Sequence, residues 1–105
     1  MPANSKIKSK EMDMLCDALL CLKTQDECYQ LFEDLCTMAE MHALSQRLQV
    51  AQMLREKATY QEISKQTGAS TATISRVNRC LMYGSGGYKT IIDRLKEEEN
   101  DGDQQ

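Results

Sequence analysis

Aromatic residues, proline and glycine are all scarce in this 105-residue chain, which has no tryptophan, one phenylalanine, one proline and five glycines. All-β folds with many turns normally need more of these residue types. Apolar residues make up 41% of the sequence, and most of them are leucine, methionine and alanine, which favour helices. The composition therefore predicts an all-α fold.

The sequence also lacks the clustered residues that metal sites and catalytic centres need. The five cysteines include no Cys-x-x-Cys pair, and His42 is the single histidine. A metal site needs several such ligands at close spacing, and no Ser/His/Asp arrangement with a recognisable spacing is present. We therefore expect reduced cysteines, no metal and no enzymatic activity.

A long uninterrupted apolar run is absent as well, because Asp13 and Asp17 divide the one candidate. No targeting or membrane-spanning segment is predicted, and we expect a cytoplasmic protein. The length predicts one small domain. We place a flexible N-terminus at residues 1–8, a single helical domain at residues 9–98 and an acidic, disordered tail at residues 99–105.

The first helical segment is too apolar for the surface of a monomer. Nine of the eleven residues in Met12–Leu22 are apolar, whereas a surface helix carries apolar residues along one stripe. A second helix is predicted over about residues 25–40, with a break near Glu40–Ala43, and the apolar pattern then continues to Leu54. A core shared by two copies explains this excess, and a compact three-helix core in a monomer is the alternative.

Residues 60–82 fit a helix-turn-helix. Thr59-Tyr60-Gln61-Glu62 is a capping box, the first helix ends by Gly68, and Ser70 is positioned to cap the second helix. At 100° per residue, Ile74, Val77 and Leu81 share the face that packs inward. The spacing therefore predicts two short helices of a DNA-binding type, joined by a turn of three residues.

The opposite face of the second helix carries small polar groups and cations, namely Thr71, Ala72, Ser75, Arg76 and Arg79. Hydroxyl and methyl groups allow close approach to base edges, and arginine binds guanine or phosphate. Although the whole chain has a net charge of −3, the segment from Arg55 to Met82 has five basic and two acidic residues. This local excess favours double-stranded DNA as the partner. The alternative is a helical protein-interaction module on the same scaffold, without specific DNA readout.

The segments GASTATISRVNRCL (residues 68–81) and RLQVAQMLREKATYQEISKQT before it resemble the Trp repressor superfamily, and within it the YerC/YecD group. The resemblance covers about residues 25–98. It implies an intertwined helical homodimer whose two helix-turn-helix units meet successive major grooves, about 34 Å apart. It further implies a transcriptional regulator, acting as a repressor at a DNA operator.

By the same resemblance, Arg47, Thr73 and Arg76 would contact an effector such as L-tryptophan. The family has a glycine directly after its second arginine, however, where this chain has Val77. The valine methyl groups would occupy space that an indole needs, so no cofactor is predicted and an unidentified small-molecule effector is left open. The predicted DNA-binding residues are Gln61, Lys65, Thr71, Ala72, Thr73, Ser75, Arg76 and Arg79.

Overall fold

A computed structural model describes residues 5–103, and every regular element in that range is helical. The helices are α1 (Lys10–Leu20), α2 (Gln25–Leu35), α3 (Met38–Arg55), α4 (Tyr60–Thr67), α5 (Thr71–Tyr83) and α6 (Gly87–Asp103). The all-α prediction is confirmed.

Side-chain caps decide where the first two helices begin. The Ser9 hydroxyl accepts a hydrogen bond from the Met12 main-chain N–H (3.0 Å) at the start of α1. At the start of α2, the Thr24 hydroxyl accepts from the Glu27 N–H (3.1 Å), and the Glu27 carboxylate accepts from the Lys23 N–H (2.8 Å). Each bond provides a partner for an amide that the helix itself leaves unpaired.

The break predicted near Glu40–Ala43 is wrong, because α2 ends at Leu35 and α3 already begins at Met38. The Thr37 hydroxyl accepts from the Glu40 N–H (3.1 Å), and the Glu40 carboxylate accepts from the Thr37 N–H (2.8 Å). This reciprocal pair is a capping box. It starts a helix two residues before the predicted break, and the helix then runs through Glu40–Ala43 without interruption.

The described residues near both ends of the chain have helical backbone. Ser5–Ile7 form one turn of 3-10 helix within the segment predicted to be flexible. At the other end, α6 continues to Asp103, into the segment predicted to be an acidic tail, and extending an existing helix is easier than starting one. Residues 1–4 and 104–105 of these two segments lie outside the described residues.

The chain divides into two compact units, Met1–Ala43 and Leu44–Gln105. All buried residues of the described chain belong to the second unit: Val50, Ala51, Ile63, Ala69, Ile74, Val77 and Ile92. They come from α3, α4, α5 and α6 and from the turn before α5. In the first unit, the described part of the chain buries no side chain, although it is rich in apolar residues. One copy therefore supplies a hydrophobic core only for the unit that contains α4 and α5.

Candidate nucleic-acid interface

Helices α4 and α5 and the turn between them have the capping geometry expected from the sequence. The Thr59 hydroxyl accepts from the Glu62 N–H (3.2 Å), and the Glu62 carboxylate accepts from the Thr59 N–H (2.9 Å). Gly68 ends α4 in the left-handed conformation (φ 74°), which glycine adopts without a steric penalty. The Ser70 hydroxyl then caps α5 by accepting from the Thr73 N–H (3.1 Å). The helix-turn-helix predicted for residues 60–82 is therefore present in the fold.

Apolar side chains hold the two helices of this unit together. Ile63 of α4 and Ile74 and Val77 of α5 are buried, and Leu81 packs half-buried against the same cluster. The predicted inward face of α5 is confirmed. Because Val50 and Ala51 of α3 belong to this cluster, α5 has a rigid base on which to present its outer face.

The outer face of α5 exposes Thr71, Ala72, Ser75, Arg76 and Arg79, and α4 exposes Gln61 and Lys65. Over the described range, ion pairs join Lys8 to Asp13 and Arg55 to Asp93, so none involves the cations of this face. The face thus presents short hydroxyl and methyl groups together with unpaired positive charges, a combination suited to base edges and phosphates.

Thr73 differs from the other predicted DNA-binding residues. Its side chain is half-buried, and its hydroxyl accepts a hydrogen bond from the Ser70 hydroxyl (3.1 Å). This contact ties Thr73 to the cap of α5. The other seven predicted DNA-binding residues are therefore exposed to solvent, whereas Thr73 is half-buried.

The residues predicted for an effector lie on two helices, Arg47 on α3 and Thr73 and Arg76 on α5. Arg47 is half-buried and Arg76 is exposed. Val77, the residue next to Arg76, is only 1% exposed and packs in the cluster with Val50 and Ala51. The space that a glycine would leave open at position 77 is thus filled by this chain's own side chain.

Two contacts near this unit were not visible from the sequence. Arg55 is one of the basic residues of the segment from Arg55 to Met82. Its guanidinium donates a hydrogen bond to the Asp93 carboxylate of α6 and forms an ion pair with it. The Gln46 side-chain amide donates to the Thr67 main-chain carbonyl (3.0 Å) at the end of α4. Arg55 and Asp93 are 38 positions apart in the chain, and Gln46 and Thr67 are 21 positions apart. No local sequence pattern signals contacts over such separations.

Within residues 5–103, no three His, Cys, Asp or Glu side chains are placed to hold a metal ion. All five cysteines are free thiols. No helix of the described chain is long and apolar enough to cross a membrane.

Comparisons with known proteins agree on one family. The family described as Trp repressor protein matches residues 10–96. The uncharacterized protein YerC of Bacillus subtilis (strain 168) is 54% identical over 96 residues, which cover 91% of this chain and 92% of YerC.

Two solved structures share the fold. A crystal structure of a provisionally assigned Trp repressor from Staphylococcus aureus has a TM-score of 0.84 and 50% identity, covering 88% of this chain and 92% of that one. A TrpR-like protein from Eubacterium eligens ATCC 27750 has a TM-score of 0.85 and 54% identity, covering 89% of this chain and 96% of that one. These matches support the superfamily and the YerC group inferred from residues 68–81, and the family is a regulatory one rather than an enzymatic one.

Proposed function

We propose, because this chain belongs to the Trp repressor protein family, that it is a sequence-specific DNA-binding regulator that represses transcription as a homodimer. The observation that carries the proposal is the exposed outer face of α5, with its hydroxyls and arginines, held on a buried apolar base. A helix-turn-helix places the N-terminal residues of its second helix against base edges in the major groove. Thr71, Ala72 and Ser75 occupy those positions here.

Each exposed residue has a role in this proposal. Thr71, Ala72 and Ser75 contact base edges directly or through water. Arg79 and Lys65 bind DNA phosphates. Gln61 binds the DNA backbone next to the free main-chain amides at the start of α4. Arg76 contacts DNA or an effector, and the half-buried Thr73 supports the start of α5 through Ser70.

The homodimer is supported by apolar side chains that one copy leaves in solvent. In the first unit, Met14, Leu20 and Met38 are 75%, 84% and 78% exposed. In the second unit, exposed leucines and isoleucines recur one helical turn apart, Leu44 and Leu48 on α3 and Ile91 and Leu95 on α6. Large exposed apolar surface on a soluble protein marks an interaction site. A second copy of the chain covers it in our proposal, and folding is then coupled to dimerisation.

L-tryptophan is not the effector in this proposal. Val77 is buried and directly follows Arg76, at the position where the family has a glycine, and we infer that its methyl groups take up space that an indole would need. DNA binding without tryptophan is therefore expected. A different small-molecule effector would have to bind without displacing this valine.

The test is selection of bound sequences from a random DNA pool by the purified protein at about 0.15 M salt, with and without L-tryptophan. We expect an enriched pseudo-palindrome with half-sites about one helical turn apart, and the same sequence in both conditions. Sedimentation of the free protein should give a dimer. The absence of any enriched sequence would favour the protein-interaction module instead.

A matched pair of variants separates readout from folding. Thr71→Glu places a negative charge on the exposed outer face of α5 and should abolish specific binding while the dimer persists. Thr90→Glu introduces the same change on the exposed surface of α6 and should leave the selected sequence unchanged. Selection of the same site by the Thr71→Glu variant would remove Thr71 from the reading face.

A further inference from the structure

Lys57 ends helix α3 in a backbone conformation that normally belongs to glycine. Its φ is 66°, and within residues 5–103 it is the single non-glycine residue with a positive φ. The Lys57 N–H donates to the Leu54 carbonyl (3.0 Å), and the Ala58 N–H donates to the Met53 carbonyl (3.0 Å). These two bonds form a Schellman motif, in which the residue at the position of Lys57 is usually glycine.

A lysine at this position is sterically unfavourable, because its Cβ crowds the following carbonyl in the left-handed region. Nothing within the described chain compensates for this through the side chain. Lys57 is exposed, and its ammonium makes no ion pair or hydrogen bond with residues 5–103. Strained residues whose side chains make no stabilising contact are concentrated at functional sites.

The position of Lys57 in the chain places it beside the helix-turn-helix. The residue lies two positions before Thr59, the N-cap of α4, and the first helix of a helix-turn-helix crosses the DNA backbone. Lys57 therefore lies close in the chain to Gln61 and Lys65, the residues of α4 that we assign to the backbone.

The neighbouring carboxylates do not neutralise this lysine. The Glu62 carboxylate is engaged by the Thr59 N–H in the capping box (2.9 Å). Glu56 lines a small cavity on the α6 side, together with Arg55, Asp93 and Lys96. The Lys57 ammonium is thus left to face solvent at the entrance to α4.

We propose that Lys57 is a DNA-contact residue whose ammonium binds a backbone phosphate where α4 meets the duplex. The left-handed turn at the end of α3 presents the side chain there, and this contact explains why lysine stands where glycine would fold better. The inference rests on the proposed DNA-binding function and adds a residue to it.

The experiment compares Lys57→Gly with the wild type in two measurements on the full-length protein. At equal protomer concentration, the variant should unfold a few degrees higher, since it relieves the backbone strain. Its affinity for the selected duplex should nevertheless fall on the order of tenfold at about 0.15 M salt, as each phosphate contact contributes through counterion release. The slope of log affinity against log salt should decrease by about 2 for a dimer with one contact per protomer.

Three variants and a random-sequence duplex serve as controls. Lys57→Gln removes the charge but keeps a side chain, so its affinity should fall without a gain in stability. Lys57→Arg should bind as the wild type does. Lys23→Gln removes an exposed lysine from the turn before α2 and should change neither affinity nor salt slope. A random-sequence duplex should lose affinity for Lys57→Gly to the same extent as the selected one, because a phosphate contact carries no sequence information.

Wild-type affinity and salt slope in both Lys57→Gly and Lys57→Gln would overturn this inference alone. A wild-type protein that binds neither duplex would overturn it together with the proposed function. The two failures are distinguished by the wild-type measurement.

Discussion

The side-chain amide of Gln46 donates a hydrogen bond of 3.0 Å to the main-chain carbonyl of Thr67, in a partly buried position. Gln46 lies on α3, and Thr67 is the last residue of α4. Thr67 also donates its hydroxyl to the Ile63 carbonyl (2.7 Å) and accepts from the Ala69 N–H (3.1 Å). Carbonyls in the last turn of a helix have no helical partner. The bond from Gln46 therefore supplies one and ties the helix-turn-helix to α3.

Gln46→Ala should loosen this tie. We expect a loss of about 1 kcal/mol in the free energy of unfolding, because a partly buried carbonyl loses its donor. DNA affinity should fall as well, since α4 is then less firmly oriented. Urea denaturation at fixed protomer concentration measures the first effect, and titration with the selected duplex measures the second.

Gln52→Ala is the matched control, because Gln52 is an exposed glutamine on the same helix. Its effect on the free energy of unfolding should stay within about 0.5 kcal/mol. Equal unfolding midpoints for the two variants would contradict a positioning role for Gln46.

Gly84→Ala should destabilise the end of α5. A Cβ at Gly84 would lie 2.4 Å from the Cys80 carbonyl oxygen, the atom that accepts the Gly84 N–H in the bond that closes the helix. The backbone must shift to relieve this overlap, and we expect a loss of about 2 kcal/mol in the free energy of unfolding.

Gly87→Ala is the control, because a Cβ at Gly87 meets no atom within 4 Å and Gly87 begins α6. That variant should be neutral or more stable by up to about 1 kcal/mol. Thermal unfolding of the two variants measures both effects. Equal unfolding midpoints would contradict the predicted clash at Gly84.

Val77→Gly tests whether this side chain excludes an indole. Removing a buried valine from a helix should cost about 3 kcal/mol, through the cavity that it leaves and the poor helix propensity of glycine. If the valine is the obstacle, added L-tryptophan should raise the unfolding midpoint of the variant but not of the wild type. Calorimetry of tryptophan binding checks the same point. Stabilisation of the wild type by tryptophan would contradict the proposed exclusion.

Glu40 should make stability depend on pH through the cap of α3. The Thr37 main-chain N–H, and to a smaller extent the Thr37 side chain, hold the pKa of the Glu40 carboxyl below its ordinary value of 4.5. A lowered pKa in the folded state favours the charged form, so this contribution is complete above the ordinary value and is lost as the pH falls through the folded pKa. NMR titration of the Glu40 carboxyl should give this lowered pKa directly.

Thr37→Ala removes the hydroxyl but keeps the main-chain N–H, so most of the lowering of the Glu40 pKa should remain. Glu40→Gln should unfold with a smaller dependence on pH than the wild type between about pH 5 and 3. An unchanged acid profile in Glu40→Gln would show that this cap does not contribute.

The boundaries of α4 and α5 were predictable, because a few neighbouring residues decide them. The limits of α4 and α5 follow from Thr59, Glu62, Gly68 and Ser70, whose side chains or backbone freedom act within four residues. The start of α3 was missed although Thr37 and Glu40 have the same spacing as the other capping boxes. That signal was present in the sequence, and the continuous apolar pattern around it obscured it.

The sequence by itself determined the helical class, the helix-turn-helix and the residues on the outer face of α5, because caps and periodicity are local properties. Only the tertiary structure decided that Gln46 meets Thr67, that Arg55 is paired with Asp93 and that Val77 shares a buried cluster with residues of α3. The left-handed conformation of Lys57 also became visible only there. The first three features depend on packing between segments distant in the chain, which no short stretch of residues encodes. The turn at Lys57 is local, but the glycine that normally signals such a turn is missing from the sequence.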